Sequence, residues 1–394
     1  MKIAFVVQRY GVEICGGSEQ LCRQVAERLS RHREVEVLTS CATDYMTWQD
    51  VYQPGLSTVN GVPVRRFRVD YPRTVPLFNH LCEAVFSEKN CPELERRWVR
   101  EQGPYSSDFL RYLEAEGRRF DVFIFFTYAY AFTFFGLPRV AGRSILVPTA
   151  HDEPAFHLPI YRSLFTQPRA LLFNTAEEQN LVLQKFSLTT PNAVAGIGID
   201  EMQKPETEAV PLRFRDRVRP LFLLYLGRID EAKGCSQLLE NFLRFRREHP
   251  ELSLQLVLAG KALMEIPSHP DVLPLGFLDE EAKRQVLAAA RLLIMPSSYE
   301  SLSIVVLEAW SLGVPVLVNG NCAVLRGQCR RSGGGLEYSD YEEFRSAVLR
   351  FVQEPALGRQ LGERGRRYVR ENYAWQVVEG TYLQWAERVY RQAA

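Results

Sequence analysis

Apolar residues occur along this chain in short continuous runs, and between the runs they recur with the spacing of amphipathic helices. Continuous rather than alternating apolar strands are typical of a parallel sheet with helices on both faces. In the first half the runs predict strands at 3–7, 35–38, 62–69, 122–126, 145–147 and 170–173. The last run leads into Thr175-x-x-Glu178, a capping-box pattern that predicts a helix start.

The same alternation begins again at residue 221. Strands are predicted at 221–226, 254–258, 292–295 and 314–318, with helices at 236–248, 280–290 and 302–312. We therefore predict an α/β fold of two doubly wound, Rossmann-like domains that face each other across a cleft. The predicted parts are an N-terminal domain at 1–203, a linker of mixed charge at 204–220, a C-terminal domain at 221–373, and a helix at 374–394 that packs back on the N-terminal domain.

The segment at 70–119 departs from this alternation because it is rich in arginine, with aromatic residues between the charges. Its arginines include Arg96, Arg97, Arg100, Arg111, Arg118 and Arg119. One interpretation is a solvated helical insertion in the first domain. The other is a basic, aromatic surface that meets an anionic acceptor or a membrane face. The sequence pattern leaves both interpretations open.

The amino-acid composition limits the kinds of binding partner that we expect. Lys and Arg number 48 and Asp and Glu 47 in 394 residues, so no global charge indicates a nucleic-acid partner. Eight cysteines without a CxxC pair indicate neither a zinc site nor a disulfide framework, and they favour a reduced state in the cytoplasm. The first apolar run is too short for a signal peptide, and no run reaches the roughly 20 residues of a membrane span. We expect any membrane association to be peripheral, at the inner face; the oligomeric state is left open.

Two carboxylates lie on either side of a predicted helix start in the second half. Glu300 follows the strand at 292–295, and Glu308 is expected two turns into the helix at 302–312. A helix start offers free backbone N–H groups and a positive dipole end to an anion, whereas two flanking acids repel a bare phosphate. The arrangement suits a ligand with phosphates at the helix start and hydroxyls on either side. A nucleotide-sugar has that layout.

Two cations, Arg228 and Lys233, lie in the loop after the first strand of the second half. Gly227 lets the backbone turn sharply at that point. A departing diphosphate needs its charge stabilised, either by a metal or by an Arg/Lys clamp. Because no suitably placed Asp-x-Asp appears, we expect the clamp and no metal or other cofactor. With the cations on the phosphates, Glu300 and Glu308 are expected to be free for hydroxyls.

In the first half, polar residues follow two of the predicted strands. Gly16 and Gly17 precede a helix, where paired glycines let a ligand approach the backbone, although an ordinary tight turn uses the same residues. They form no GxGxxG fingerprint, which counts against a dehydrogenase. His151, Asp152 and Glu153 follow a later strand, at the sheet edge where open α/β folds bind ligands. The histidine is interpreted equally well as structural or functional, and the two acids as its orienting groups or as acceptor contacts.

Together these motifs resemble a family of retaining, nucleotide-sugar-dependent glycosyltransferases, type 4, with two facing Rossmann-like domains (the GT-B fold). The resemblance covers nearly the whole chain. It implies a hexosyltransferase that acts in polysaccharide biosynthesis on a saccharide, lipid-linked or small-molecule acceptor. By resemblance, Arg228 and Lys233 would neutralise the donor diphosphate. Glu300 would bind hydroxyls of the transferred sugar and face the developing positive charge, and Glu308 would hold the ribose.

The same resemblance implies roles for further residues. Backbone groups at Leu302 and Ser303 would meet the distal phosphate, Gly17 would approach the donor from the other domain, and His151 would lie near the sugar. The chain departs from the family at Ser301-Leu302-Ser303, where Gly-Phe-Gly is frequent. Since these positions mainly offer backbone N–H groups, the catalytic arrangement is expected to tolerate the change, although the position of the sugar can differ.

Two other classes of protein remain open. A nucleotide-sugar epimerase or hydrolase on a similar frame would act without an acceptor. A noncatalytic, two-lobed sugar-binding protein would bind its ligand without a diphosphate clamp, so Arg228→Ala would leave its affinity nearly unchanged.

Overall fold

The structure is a computed structural model that describes residues 1–14, 16–87, 90–202 and 210–393. The chain forms two compact units: Met1–Gly198 together with Gln376–Ala394, and Ile199–Trp375. The first part of the predicted linker, 204–209, lies outside the described residues. The part that follows contains a short 3-10 helix, Leu212–Phe214.

The strands and helices alternate in both units. The strands of the first unit are β1 (Lys2–Val6), β2 (Glu34–Ser40), β3 (Gly55–Val59), β4 (Val62–Phe67), β5 (Val122–Phe126), β6 (Ser144–Val147), β7 (Ala170–Phe173) and β8 (Asn192–Val194). Those of the second are β9 (Phe222–Leu226), β10 (Gln255–Ala259), β11 (Val272–Gly276), β12 (Leu292–Met295), β13 (Val316–Asn319) and β14 (Gly335–Tyr338). The helices are α1 (Gly17–Leu29), α2 (Val75–Val85), α3 (Pro92–Gln102), α4 (Ser107–Glu116), α5 (Ala131–Gly136), α6 (Tyr161–Thr166), α7 (Ala176–Phe186), α8 (Cys235–Glu248), α9 (Glu280–Ala289), α10 (Ile304–Ser311), α11 (Ala323–Ser332), α12 (Tyr341–Gln353), α13 (Pro355–Asn372) and α14 (Trp375–Ala393).

The sheet of the first unit has the order β3-β4-β2-β1-β5-β6-β7-β8. Its described pairings are parallel apart from β3 with β4, which is antiparallel at the edge. Every residue of β5 is buried, as a strand covered on both faces requires. The continuous apolar runs thus correctly predict a doubly wound sheet.

The arginine-rich segment at 70–119 contributes α2, α3 and α4 to the first unit. Trp98 and Phe109 from these helices are buried in its hydrophobic core. Several arginines stack on aromatic rings: the Arg100 guanidinium carbon lies 4.3 Å from the Tyr105 ring centre, a cation–π distance. The segment is helical and packed, and part of its arginine–aromatic pattern is used in its own contacts.

The C-terminal helix α14 belongs to the first unit from Gln376 onward. Arg33 Nη2 lies 2.6 Å from Glu387 Oε1, and His32 contacts Glu379. The Tyr382 side chain is fully buried in this unit. The helix therefore supplies part of the first unit's core from the far end of the chain.

The second unit contains a parallel sheet of order β11-β10-β9-β12-β13-β14. At the carboxyl end of its strands, backbone segments pack closely. Gly227 has φ +150° and Gly260 has φ +140°. A Cβ on Gly260 would lie 1.8 Å from the Gly227 carbonyl oxygen, so a glycine is required there. This packing fixes the start of the loop that carries Arg228 and Lys233.

Candidate functional site

Glu300 lies in the loop between β12 and α10. Helix α10 begins at Ile304 because Ser303 is still extended, with φ −100° and ψ 100°. The helix thus starts two residues later than the pattern at 302–312 predicts. Glu308 is its fifth residue, about one turn in rather than two. Leu302 and Ser303 lie immediately before the first turn, where backbone N–H groups have no intrahelical partner.

The loop after β9 lies against the loop after β12, since β9 and β12 are neighbouring parallel strands. Gly234, with φ +75°, makes the close approach: a Cβ there would lie 2.5 Å from the Pro296 carbonyl oxygen. Asp230 Oδ1 accepts a hydrogen bond from the Lys233 backbone N–H at 2.8 Å. Lys233 Nζ then donates to Glu300 Oε1 at 2.7 Å. The predicted cation and the predicted acid are direct partners.

Arg228 lies on the same loop and forms an ion pair with Asp230. Its backbone carbonyl accepts a hydrogen bond of 2.6 Å from the Tyr225 hydroxyl, which is largely buried. The Arg228 side chain is 39% exposed. Arg228 is therefore fixed at its backbone, and its partly exposed side chain is paired with Asp230.

Glu308 is buried, and Lys283 of α9 is its partner, with Nζ 2.9 Å from Oε1. Lys283 also lies 2.7 Å from Glu280. Burial raises the pKa of the Glu308 carboxyl, and Lys283 opposes this only in part. Burial acts to lower the pKa of Lys283, but Glu308 and Glu280 together hold it above its usual value.

The lysine contacts correct one expectation from the sequence. Both acids were expected to be free for hydroxyls, but Glu300 is bound to Lys233 and Glu308 to Lys283. The role of Lys283 was missed because a lysine near the start of an acidic helix reads as a solvated residue. The only sequence signal for it is indirect: a buried carboxylate needs a partner.

In the first unit, Gly16 is the N-cap residue of α1 and Gly17 its first residue. A Cβ on Gly16 would lie 2.1 Å from Glu19 Oε2, whereas one on Gly17 would meet no heavy atom within 4 Å. Glu19 is buried and binds Arg9, with Nη2 to Oε1 at 2.6 Å. A methyl group at position 16 would thus displace the side chains of the buried ion pair. Gly17 leaves open space beside the start of the helix. The ion pair of Arg9 with Glu19 was not predicted from the sequence.

His151 lies beyond the end of β6, four residues after Val147. Its Nδ1 is 3.6 Å from Glu153 Oε1, and the Tyr128 hydroxyl donates to the same oxygen at 2.8 Å. Asp152 instead contacts His157, with Oδ1 to Nε2 at 2.6 Å. Of the two acids, Glu153 therefore lies near His151, whereas Asp152 pairs with His157.

The structure brings Arg228, Lys233 and Glu300 together within the second unit, and His151 with Glu153 within the first. In the described part of the chain, no group of three or more His, Cys, Asp or Glu side chains has the geometry to hold a metal ion. Likewise, none of the described helices combines the length and the apolar character needed to cross a membrane.

Part of the chain matches a known protein family and a curated protein. Residues 220–354 match the family model Glycosyl transferases group 1. The glycogen synthase of Mycobacterium tuberculosis is 30% identical over 176 residues, which is 42% of this chain and 42% of that protein. The chain therefore spans less than half the length of this curated relative in the match.

Two solved structures resemble the whole chain. Sucrose-phosphate synthase from Thermosynechococcus elongatus has a TM-score of 0.69 and 17% identity, covering 99% of each chain. The HepE protein of Anabaena, solved in complex with UDP-glucose, has a TM-score of 0.68 and 15% identity, covering 98% of this chain and 100% of the other. At these identities the likeness shows the fold. The structural likeness shows the GT-B glycosyltransferase fold over the whole chain, and the match to the glycosyl transferases group 1 model lies within its second unit.

Proposed function

We propose that the protein is a retaining glycosyltransferase that moves a sugar from a nucleoside-diphosphate sugar to a saccharide, lipid-linked or small-molecule acceptor. The observation that carries the proposal is the pair of Lys233 and Glu300, 2.7 Å apart beside the start of α10, in the unit that matches the group 1 family. A cation and a carboxylate side by side at a helix start suit a ligand whose phosphate and hydroxyl groups are adjacent.

The donor diphosphate would bind Arg228, Lys233 and the backbone N–H groups of Leu302 and Ser303. In the structure Asp230 and Glu300 contact these two cations. A diphosphate competes with both acids for the cations, and its charge grows as it departs. The cations then stabilise the leaving group more strongly than the bound donor, which is what accelerates the reaction. We therefore propose turnover without an added divalent metal.

Glu300 and Glu308 would have different roles. Once Lys233 turns to the phosphate, Glu300 can accept hydrogen bonds from sugar hydroxyls and face the positive charge that develops at the anomeric carbon. Glu308 keeps Lys283 on Oε1, and we propose that its other oxygen accepts from the ribose hydroxyls. Lys283 would thus hold the Glu308 carboxylate charged and oriented for the nucleoside.

In the proposed reaction, the bond between the anomeric carbon and the β-phosphate oxygen breaks. The acceptor oxygen bonds to that carbon on the same face, its proton passes to the departing phosphate oxygen, and the nucleoside diphosphate leaves. Retention by this route needs no side-chain base. The predicted place of His151 near the sugar, and the predicted acceptor contacts of Asp152 and Glu153, stay predictions.

The test is release of nucleoside diphosphate from a panel of nucleotide-sugars, with and without candidate acceptors. UDP-glucose is the first donor to try, because the similar Anabaena protein was solved with it. Lys233→Ala is expected to slow release about 100-fold. Arg247→Ala on α8, which removes an exposed cation of the same unit, is the matched control and is expected to leave the rate unchanged.

Three outcomes bear on this proposal. No release and no donor-dependent thermal shift with any common donor would overturn it. Release at an equal rate without an acceptor would favour the hydrolase alternative. Complete loss of activity with a chelator, restored by a divalent metal, would contradict the cationic clamp.

Acceptor class and location are further parts of the proposal. We propose a sugar or glycolipid acceptor and a cytoplasmic protein, with peripheral contact at the inner face of the membrane. Cell fractionation with and without high salt would test the contact, because peripheral electrostatic binding is released by salt.

A further inference from the structure

Glu178 of α7 has a buried carboxylate that joins two loops of the first unit. Its exposed fraction is 0%. The sequence pattern predicts a capping box, and Thr175 Oγ1 does accept from the Glu178 backbone N–H at 3.2 Å. The carboxylate reaches further, because Oε2 accepts from the Asn174 N–H at 2.6 Å and Oε1 from the Ala150 N–H at 2.6 Å. Ala150 follows β6 and directly precedes His151.

The loop that Glu178 holds contains strained backbone. Thr149 has φ +51°, and Thr127, after the neighbouring strand β5, has φ +69°. A β-branched residue in the left-handed region is an outlier that persists only where the surroundings enforce it, and such residues cluster at functional sites. The two hydroxyls form a hydrogen bond of 3.2 Å. The strain lies two residues before His151.

The interior around Glu178 offers little compensation for a charge. Burial raises the pKa of this carboxyl to about 8, even though the N–H groups of Asn174, Ala150 and Thr175 act to lower it. Tyr382 of α14 interacts electrostatically with Glu178 and is itself fully buried. An ordinary helix cap needs no such burial, since a surface carboxylate caps equally well.

We propose that Glu178 is a positioning residue that holds the strained loop after β6 and thereby sets the position of His151. The inference rests on the proposed function, in which His151 lies near the transferred sugar. Glu178 does not contact the reacting groups itself. Its effect is carried by one backbone hydrogen bond, to the residue before the histidine.

The variant Glu178→Gln tests this in assays above pH 8, where the carboxylate is charged and both of its oxygens accept. Glutamine keeps the shape, but its side-chain amide presents only one acceptor oxygen to the two N–H groups. We expect kcat to fall roughly 10- to 100-fold at saturating donor, with the donor KM nearly unchanged. Hydrogen exchange at the Ala150 amide should accelerate. Ser106→Ala removes a buried N-cap of α4 in the same unit, which bonds the Phe109 N–H at 3.2 Å, and serves as the stability-matched control. We expect it to lower the Tm without changing kcat or exchange at Ala150.

The outcomes separate this inference from the function on which it rests. If the wild-type protein turns over a donor and Glu178→Gln keeps its kcat, the positioning role is overturned. If Ser106→Ala loses as much kcat as Glu178→Gln, the effect is general instability and the inference also fails. If the wild-type protein turns over no donor, the proposed function fails. Exchange at Ala150 then still decides the structural part, since unchanged protection in Glu178→Gln contradicts the hydrogen bond.

Discussion

Glu300 and Glu308 of the second unit and Glu178 of the first are held by opposite means. In the second unit, Glu300 and Glu308 each bind a lysine side chain from another element, at 2.7 and 2.9 Å. In the first unit, Glu178 is enclosed in the core and bound by backbone N–H groups. Side-chain ion pairs can change partners when a charged ligand arrives, whereas backbone contacts fix a geometry. The two lysine-bound acids can therefore exchange partners, whereas the contacts of Glu178 hold the shape of its loop.

The largest effect is expected from breaking the exchangeable pair. Glu300→Gln keeps the size of the side chain but removes the charge that, in the proposed reaction, faces the developing cation. We expect kcat to fall by about 100- to 1,000-fold, or about 3–4 kcal/mol in activation free energy. Single-turnover kinetics with the preferred donor would measure it. A fall in donor affinity alone, with kcat intact, would show that Glu300 only binds substrate.

The second pair should matter for stability as well as for the proposed ribose contact. Lys283→Ala leaves the buried Glu308 carboxylate without its lysine, and we expect about 3 kcal/mol to be lost from the free energy of unfolding. Glu308→Gln should be milder, because Lys283 is 16% exposed and can turn to water or to Glu280. Urea denaturation of both variants and of the double variant would check this. Equal losses for both single variants would contradict the difference in burial.

The enclosed carboxylate predicts a dependence of stability on pH. The pKa of Glu178 is about 8 when folded, against an ordinary value of 4.5. The folded state therefore binds more protons between these values, so the contribution of Glu178 is complete below pH 4.5 and lost as the pH rises through 8. We expect stability to fall by about 1.4 kcal/mol per pH unit across this interval, and this fall to be absent in Glu178→Gln. Thermal denaturation against pH would show it, and identical slopes for both proteins would refute it.

The smallest effect separates the two neighbouring glycines of the first unit. Gly16→Ala brings a methyl group against Glu19, 2.1 Å from its Oε2, and should cost about 1 kcal/mol. Gly17→Ala meets open space in the first turn of α1, so stability should stay equal or rise by up to about 1 kcal/mol. Their Tm values give the comparison. An increase of the donor KM in Gly17→Ala without a loss of Tm would support a ligand role for Gly17.

Much of the fold could be predicted from the sequence because its central strands are buried on both faces. The run at 3–7 corresponds to β1, and every residue of β5 is apolar. The strands at the edges of the sheets were not predicted. Strand β3 is largely exposed and carries no continuous apolar run. A strand in contact with solvent is under no selection for buried side chains, so its pattern is weak.

The candidate site, like the fold, could be predicted from the sequence only in part. Four candidate residues could be proposed from the sequence because charged residues at strand ends and helix starts stand out: Glu300, Glu308, Arg228 and Lys233. Lys283 was missed because its importance depends on a contact 25 positions away along the chain. The first residue of α10 was also not predicted, because Ser303 is extended in the loop before the helix. The contact of Lys283 and the start of α10 both depend on tertiary packing, which the local sequence pattern does not show.

Because α14 belongs to the first unit, it affects when that unit can finish folding during synthesis. Residues 376–393 belong to the first unit, yet they are translated after the whole of the second. The buried Tyr382 is then absent from the first unit while Ile199–Trp375 emerges. Domains usually fold in the order of synthesis. Here the first unit can begin early, but it is completed only after the second has been made.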